Sequence, residues 1–223
     1  MHRRTREPAT ARPAVLLGLA VEAVRRASDA ALAAPGTPGP SGVGPAPAGE
    51  GPADAALAEA ERALQPLESA IEEDAAALLA RHDPEPRGTG ALLAEVHLGA
   101  DVQQLAELAR RIGEIAWVRR SRGPLPEDLR AVLRPTASLA LAMLDRAAGA
   151  LREPRGERLA CLEDDAADLD RRQALLYGRL LAADPPAERA DLVDAVLLCG
   201  YYRRCADLAR SAARHADLFT DTE

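Results

Sequence analysis

Two stretches of sequence decide the fold, HLGADVQQLAELARRIGEIA at residues 97–116 and LVDAVLLCGYYRRCADLARSAARHA at residues 192–216. In both, apolar residues recur at intervals of three and four, which is the spacing of one face of an amphipathic helix. A shift of 100 residues superimposes the two stretches. It aligns Leu98, Ala106, Leu108, Ala109 and Arg110 with Leu198, Ala206, Leu208, Ala209 and Arg210, and it places Glu107 over Asp207. The sequence therefore predicts the same long helix twice.

Two further alignments extend this repeat to the rest of the chain. A shift of 102 aligns Leu57, Ala58, Glu61, Leu67, Leu78, Leu79 and Ala80 with Leu159, Ala160, Glu163, Leu169, Leu180, Leu181 and Ala182. A shift of 120 aligns Leu19, Ala20, Arg26, Ala27 and Ala30 with Leu139, Ala140, Arg146, Ala147 and Ala150. The difference between these shifts matches an insertion at about 35–53, where the Gly/Pro-rich tract Pro35–Pro52 is expected to form a disordered loop.

Proline, glycine and helix-capping residues divide the chain into six predicted helices, at about 13–34, 54–82, 89–121, 126–152, 155–183 and 186–218. The first three match the last three in order. We therefore predict an all-α protein made of two tandem three-helix repeats with long antiparallel helices, residues 1–122 and 123–223. The composition agrees with this class, because only 2% of the residues are aromatic, whereas β-sandwiches and barrels are rich in aromatic and β-branched residues.

Charge and cysteine content argue against several classes of function. A formal net charge of −7 is unlike that of a general nucleic-acid binder, which needs clustered positive charge. Cys161, Cys199 and Cys205 have no CxxC spacing, and we expect them to be small core residues in a reducing compartment. No apolar run is long enough for a transmembrane helix, and charged residues follow the amino-terminal apolar segment where a signal peptide has its cleavage region. We therefore expect a cytoplasmic protein.

Two acidic residues are expected on buried helix faces. At 3.6 residues per turn, Asp101 lies within about 40° of the centre of the apolar stripe of its helix, and Asp194 lies within about 20°. A buried carboxylate must be paired or hydrogen-bonded, and one of the many Arg side chains is the simplest partner. His97 lies one turn before Asp101, where the two side chains form either a surface pair or a metal clamp.

The sequence contains none of the common catalytic motifs. It has no GxGxxG after a strand, no Walker loop, no HExxH, no GxSxG, and no ExxH pair of the kind found in di-iron bundles. Arg203 and Asp207 are expected to form an i,i+4 pair on a solvated face. By elimination, these observations favour a binding or regulatory protein over an enzyme.

The repeat architecture and the two quoted stretches resemble those of the PhoU family of phosphate-uptake regulators. The run LEDDAADLDRRQALL at residues 162–176 is similar to the acidic helix of that family, with Asp164, Asp165 and Asp168 matching. The likeness covers about residues 14–216 outside the Gly/Pro-rich tract and is strongest in the second repeat. In the family, the third helix of each repeat carries an acidic signature, in which Glu or Asp is followed by three residues and then Asp.

The resemblance implies a cytoplasmic regulator that restrains phosphate uptake and phosphate signalling. It would act by contact with a phosphate ABC transporter and a sensor histidine kinase, and it would be a homodimer. The resemblance also implies metal binding, because members of the family hold iron, zinc or related clusters at the signatures. This chain has Gln103 and Glu107 in the first signature and Arg203 and Asp207 in the second, so each has lost its leading acid. Asp101, Glu107 and Asp207 are then the candidate ligands for iron, zinc or another divalent metal.

Two alternatives stay open from the sequence. One is a helical adaptor that kept the scaffold without the phosphate role, and the other is a metal-cluster-binding bundle. Hard and borderline cations need several anionic ligands, and Arg203 places a positive charge where such a cation would bind. This substitution favours the regulator over a metal-storage protein.

Overall fold

The computed structural model describes residues 11–33, 86–152, 157–181 and 188–220. In these ranges the chain forms five α-helices and no strand: α1 (Ala11–Ala31), α2 (Pro86–Arg122), α3 (Glu127–Arg152), α4 (Glu157–Leu180) and α5 (Arg189–Thr220). This architecture confirms the predicted all-α class. The predicted helix at 54–82 and the Gly/Pro-rich tract lie outside the described residues. None of the described helices combines the length and apolar character that a membrane crossing requires.

The turn between α2 and α3 shows why these helices end and begin where they do. Gly123 has a φ of 87°, a left-handed conformation that is open to glycine because it lacks a Cβ atom. Its amide donates a 2.9 Å hydrogen bond to the carbonyl of Arg119 and so closes α2. The carbonyl of Pro126 accepts hydrogen bonds from the amides of Leu129 and Arg130, at 3.1 and 3.0 Å, and so opens α3. The predicted boundary between the repeats falls in this turn.

The helices pack as two pairs that are joined to each other. α1 packs against α2, and α3 packs against α5; contacts of α1 with α3 and of α2 with α5 join the pairs. α4 lies against α3 and α5. The α2 and α5 helices run antiparallel, because Arg119 near the end of α2 contacts Asp191 at the start of α5, whereas Asp101 faces His215 near the end of α5.

The buried faces of the helices follow the repeat seen in the sequence. In α2 the positions 94, 98, 102, 105, 106, 108, 109 and 112 are buried, and the positions 100 residues later in α5 are buried as well. In α1 the positions 16, 17, 20, 21, 23, 24, 27, 28 and 31 are buried, and so are the positions 120 residues later in α3. Most of these residues are Leu and Ala, and removal of their surface from water drives the packing of the helices.

Candidate functional site

The three candidate metal ligands lie at separate places on the α2–α5 pair. Asp101 is buried between the two helices, Glu107 is half-buried on α2, and Asp207 is half-buried on α5. Each carboxylate has its own set of cationic or imidazole neighbours. Within the described ranges, no group of three or more His, Cys, Asp or Glu side chains is arranged to hold a metal ion. Metal binding by these residues therefore stays a prediction.

Glu107 is neutralised by arginines of its own helix. Its Oε1 atom is 2.7 Å from Nη2 of Arg110 and 2.7 Å from Nε of Arg111. Hydrogen bonds from these two guanidinium groups lower the pKa of Glu107 to about 2. Arg110 also forms an ion pair with Glu114. The Glu107 carboxylate is therefore ionised at neutral pH, but its charge is already balanced within α2.

Asp207 belongs to a network of arginines and carboxylates that joins α5 to α4. Its Oδ1 atom is 3.5 Å from Nε of Arg203, the pair expected from the sequence, and 3.7 Å from Nη1 of Arg210. Arg203 also forms an ion pair with Asp170 of α4. Nε of Arg210 donates a 3.0 Å hydrogen bond to Glu163 of α4. These guanidinium groups supply positive charge at the place where the resemblance implies a bound cation.

A polar cluster lies between the first half of α2 and the end of α5. It consists of His97, Asp101, Ser211 and His215, and we call it the His–Asp cluster. The rings of His97 and His215 are stacked, with centroids 4.8 Å apart and planes inclined by 5°. Nδ1 of His215 is 3.7 Å from Oδ2 of Asp101, and in the described part of the chain neither buried atom has a hydrogen-bond partner. Ser211 hydrogen-bonds to the Asp101 side chain.

Burial shifts the protonation equilibria of the His–Asp cluster. Removal from water raises the pKa of Asp101, although Ser211, His215, His97 and Arg204 act in the opposite direction. Removal from water also lowers the pKa of His215, against the attraction of Asp101. Both groups therefore favour their neutral forms more strongly than they would in water.

At the other end of the α2–α5 contact, Arg119 of α2 forms buried ion pairs with α5. Its side chain is 5% exposed, and its guanidinium lies 2.6 Å from the carboxylates of both Asp191 and Asp194. Asp194 thus has the arginine partner that its burial requires. The attraction within the group opposes the cost of removing three charges from water. This contact forms only when α2 and α5 lie in the register described here.

Cys199 and Cys205, the two buried cysteines of α5, carry weakly nucleophilic thiols. An activated nucleophile is a hydroxyl or thiol beside a base, or a thiol with a lowered pKa. Burial raises the pKa of Cys199 to about 11 and that of Cys205 to about 12, so both thiols stay protonated at neutral pH.

Cys161 corrects one expectation from the sequence. It is exposed on α4, whereas Cys199 and Cys205 are buried as expected. The reason lies in the helical geometry of α4, because Leu162, the residue after Cys161, is the one that points into the core. Consecutive residues of a helix point about 100° apart, so Cys161 is turned away from the core.

Sequence reasoning missed several residues of these networks, among them three that reach across from a second helix. His215 reaches Asp101 from α5, and Glu163 and Asp170 of α4 reach the arginines of α5. The last two lie within the acidic run at 162–176, but the resemblance to the PhoU family singles out Asp164, Asp165 and Asp168 of that run. Finding His215 would have required the antiparallel register of α2 and α5.

The chain matches no protein-family model, no curated protein and no solved structure. The link to the PhoU family therefore rests on the residues quoted from the sequence and on the repeat.

Proposed function

We propose that this protein is a PhoU-like regulator of phosphate uptake and phosphate signalling, built from two tandem three-helix repeats. It acts in the cytoplasm by contact with a phosphate ABC transporter and a sensor histidine kinase. A helical face of the regulator blocks the active arrangement of its partner, and no chemical turnover is involved. The resemblance supplies the phosphate role, and the matching burial patterns of α1 with α3 and of α2 with α5 are the structural feature that supports the resemblance.

Contacts between equivalent residues support the two-repeat architecture of this proposal. Arg25 of α1 and Asp145 of α3 are 120 residues apart, the shift that aligns their helices, and they form a 2.8 Å ion pair. Arg204 of α5 hydrogen-bonds to Gln104 of α2, 100 residues away. Equivalent positions of two copies that are related by a two-fold axis meet beside that axis. Together with the shared burial pattern, these contacts favour two related halves packed about such an axis.

Exposed apolar side chains on the third helix of each repeat provide a surface for the partner. Leu93 of α2 and Val193 of α5, which are equivalent positions, are 51% and 56% exposed. One turn further on, Val96 and Val196 are 41% and 38% exposed. Because α2 and α5 run antiparallel, these residues form two separate exposed apolar patches, one at each end of the α2–α5 pair. We assign these four residues to the contact with the transporter or the kinase.

A phosphate-responsive reporter tests the proposed role. Deletion of the gene is expected to activate phosphate-starvation genes in phosphate-rich medium, and the wild-type gene is expected to restore repression. Val96→Asp combined with Val196→Asp should fail to restore it, because a charge at each site opposes an apolar contact. Val15→Asp, which changes a valine of α1 that is 61% exposed and lies outside the four positions, is the control and should restore repression. A reporter that is unchanged by the deletion would contradict the phosphate role.

A metal-cluster-binding bundle is the alternative from another class. It predicts stoichiometric iron, zinc or manganese in the purified chain and loss of that metal in Glu107→Ala. The ion pairs of Glu107 and Asp207 with arginines favour the regulator, because a cation would have to compete with four guanidinium groups.

A helical adaptor without the phosphate role is the other alternative. If it is correct, the protein isolated from phosphate-limited cells should carry bound partners other than the transporter and the kinase.

A further inference from the structure

The outer side of α4 carries a continuous exposed stripe. Its residues fall within about 100° of one another on the helix at 100° per residue, and all are exposed: Asp164, Ala167, Arg171, Ala174, Leu175 and Gly178. The opposite side of α4 is buried against α3 and α5 through Leu162, Ala166, Leu169 and Leu176. Leu175 is 66% exposed, so the stripe presents a large apolar side chain to its surroundings.

Charge is distributed unequally along this stripe. The amino-terminal half carries Asp164 and, at its edge, Asp168, which is bonded to Arg171 and Arg172 of the same helix. The carboxyl-terminal half carries Arg171 and, at its edge, Arg179. The stripe is thus acidic near the start of α4 and basic towards its end.

Small residues allow another helix to approach the stripe closely. Ala167, Ala174 and Gly178 are spaced so that they lie on one side of α4. A Cβ atom built on Gly178 would meet no other atom within 4 Å, so the surface at this point is open. α4 has 24 residues and is about 36 Å long at 1.5 Å per residue, which gives a second helix several turns of contact.

We propose that the outer stripe of α4 binds the same stripe of a second copy of this chain, in antiparallel orientation. Antiparallel pairing places the acidic half of each stripe opposite the basic half of the other, so that Asp164 lies near Arg179 of the second copy. In this register each Leu175 side chain lies opposite Asp168 of the second copy and packs beside its Ala167. Such an interface is isologous, and each favourable pair occurs twice. It specifies the surface of the expected homodimer and is independent of the phosphate role.

Charge exchange on the full-length chain tests the orientation. The dimer dissociation constant is measured by sedimentation equilibrium for the wild type, Asp164→Arg, Arg179→Asp and the double variant. Each single change is expected to weaken the dimer about tenfold, because it creates two like-charge contacts, and the double variant is expected to recover most of the loss. Arg120→Asp, an exposed arginine of α2, is the matched control and should leave the constant unchanged.

Leu175→Asp tests the apolar part of the interface and is expected to give a monomer that is as helical as the wild type by circular dichroism. A wild-type chain that is monomeric at all concentrations would overturn the proposal. So would a dimer that tolerates both Leu175→Asp and Arg179→Asp, because its interface would lie elsewhere. Failure of the phosphate reporter would affect neither measurement.

Discussion

Arg25 of α1 pairs with Asp145 of α3, its own equivalent 120 residues later, with 2.8 Å between Nη2 and Oδ2. Both side chains are partly exposed, so the pair itself adds little stability. The pair is informative about geometry, because it brings together two positions that the sequence alignment treats as equivalent. The bond between Gln104 and Arg204 marks a second such place on the α2–α5 contact. Both contacts predict that equivalent positions have similar surroundings, and mutations at equivalent positions can test this.

Equivalent core positions should contribute similarly to stability. Leu98 and Leu198 are 1% and 0% exposed and lie 100 residues apart. We expect Leu98→Ala and Leu198→Ala each to lower the free energy of unfolding by about 2–5 kcal/mol, because each leaves a cavity in the core. Denaturant unfolding of both variants checks this. Leu197→Ala, at an exposed position, is the control and should cost well under about 1 kcal/mol. A large cost at only one of the two core positions would argue against equivalent packing.

Removal of the Arg119 side chain should be strongly destabilising. Arg119→Met leaves Asp191 and Asp194 close together without their buried cation, and we expect a loss of about 3–5 kcal/mol in the free energy of unfolding. Replacement of both carboxylates by Asn in the Arg119→Met background should recover part of this loss. Thermal and denaturant unfolding measure the change. Arg120→Met, at the exposed neighbouring position, provides the comparison, and equal effects at 119 and 120 would contradict the assigned contact.

His215 should make the fold sensitive to mild acid. Its pKa is lowered in the folded chain from an ordinary value of 6.5, so the unfolded chain takes up the proton first as the pH falls. Stability is therefore lost as the pH falls below about 6.5 towards the lower pKa of the folded state. His215→Gln should lose less stability over that range, as measured by urea unfolding at a series of pH values. An identical pH dependence for the variant and the wild type would contradict this assignment.

Asp101 should give the stability of the fold a pH dependence of the opposite sign. Its pKa is raised from 3.8, so the folded chain holds the proton more tightly than the unfolded chain. Stability then falls as the pH rises from about 3.8 through the raised pKa, because the folded state must ionise a buried carboxyl group. Asp101→Asn removes this dependence while keeping the size of the side chain. The same urea series measures it, and a variant whose stability still falls over that interval would rule out Asp101 as the source.

The cysteines should differ in reactivity towards a thiol reagent. Cys161 is exposed, whereas Cys199 and Cys205 are buried with raised pKa values. We expect one thiol to react rapidly in the native chain and all three to react in denaturant, as counted by absorbance. In Cys161→Ser the rapid phase should disappear. If that phase persists, one of the two buried thiols opens to solvent more often than its burial indicates.

Helix positions could be predicted from the sequence because their ends depend on nearby residues. The boundary predicted between 121 and 126 is observed between Arg122 and Glu127, where Gly123 and Pro126 set the local backbone. The start predicted at 186 is observed at Arg189. Glycine, proline and capping groups act over a few residues, so they are visible in a single sequence.

The contacts of the candidate site could be predicted only in part. Helical periodicity places Asp101 and Asp194 on buried faces, and both are buried. Periodicity within one helix contains no information on which residue of another helix lies opposite. Asp194 has an arginine partner, but Asp101 faces His215, and His97 stacks on the same ring. These partners depend on the register of α2 against α5, which is a property of the folded chain.

The turn at Gly123 has a consequence for ancestry. If the two halves are copies of one unit, this turn holds them on one chain, so that their association does not depend on concentration. A joined pair no longer has to stay identical on both sides. His97 and Asp101 occur on one side only, where their counterparts are Leu197 and Tyr201. The α2 residues of the His–Asp cluster therefore have no counterpart at the positions 100 residues later on α5.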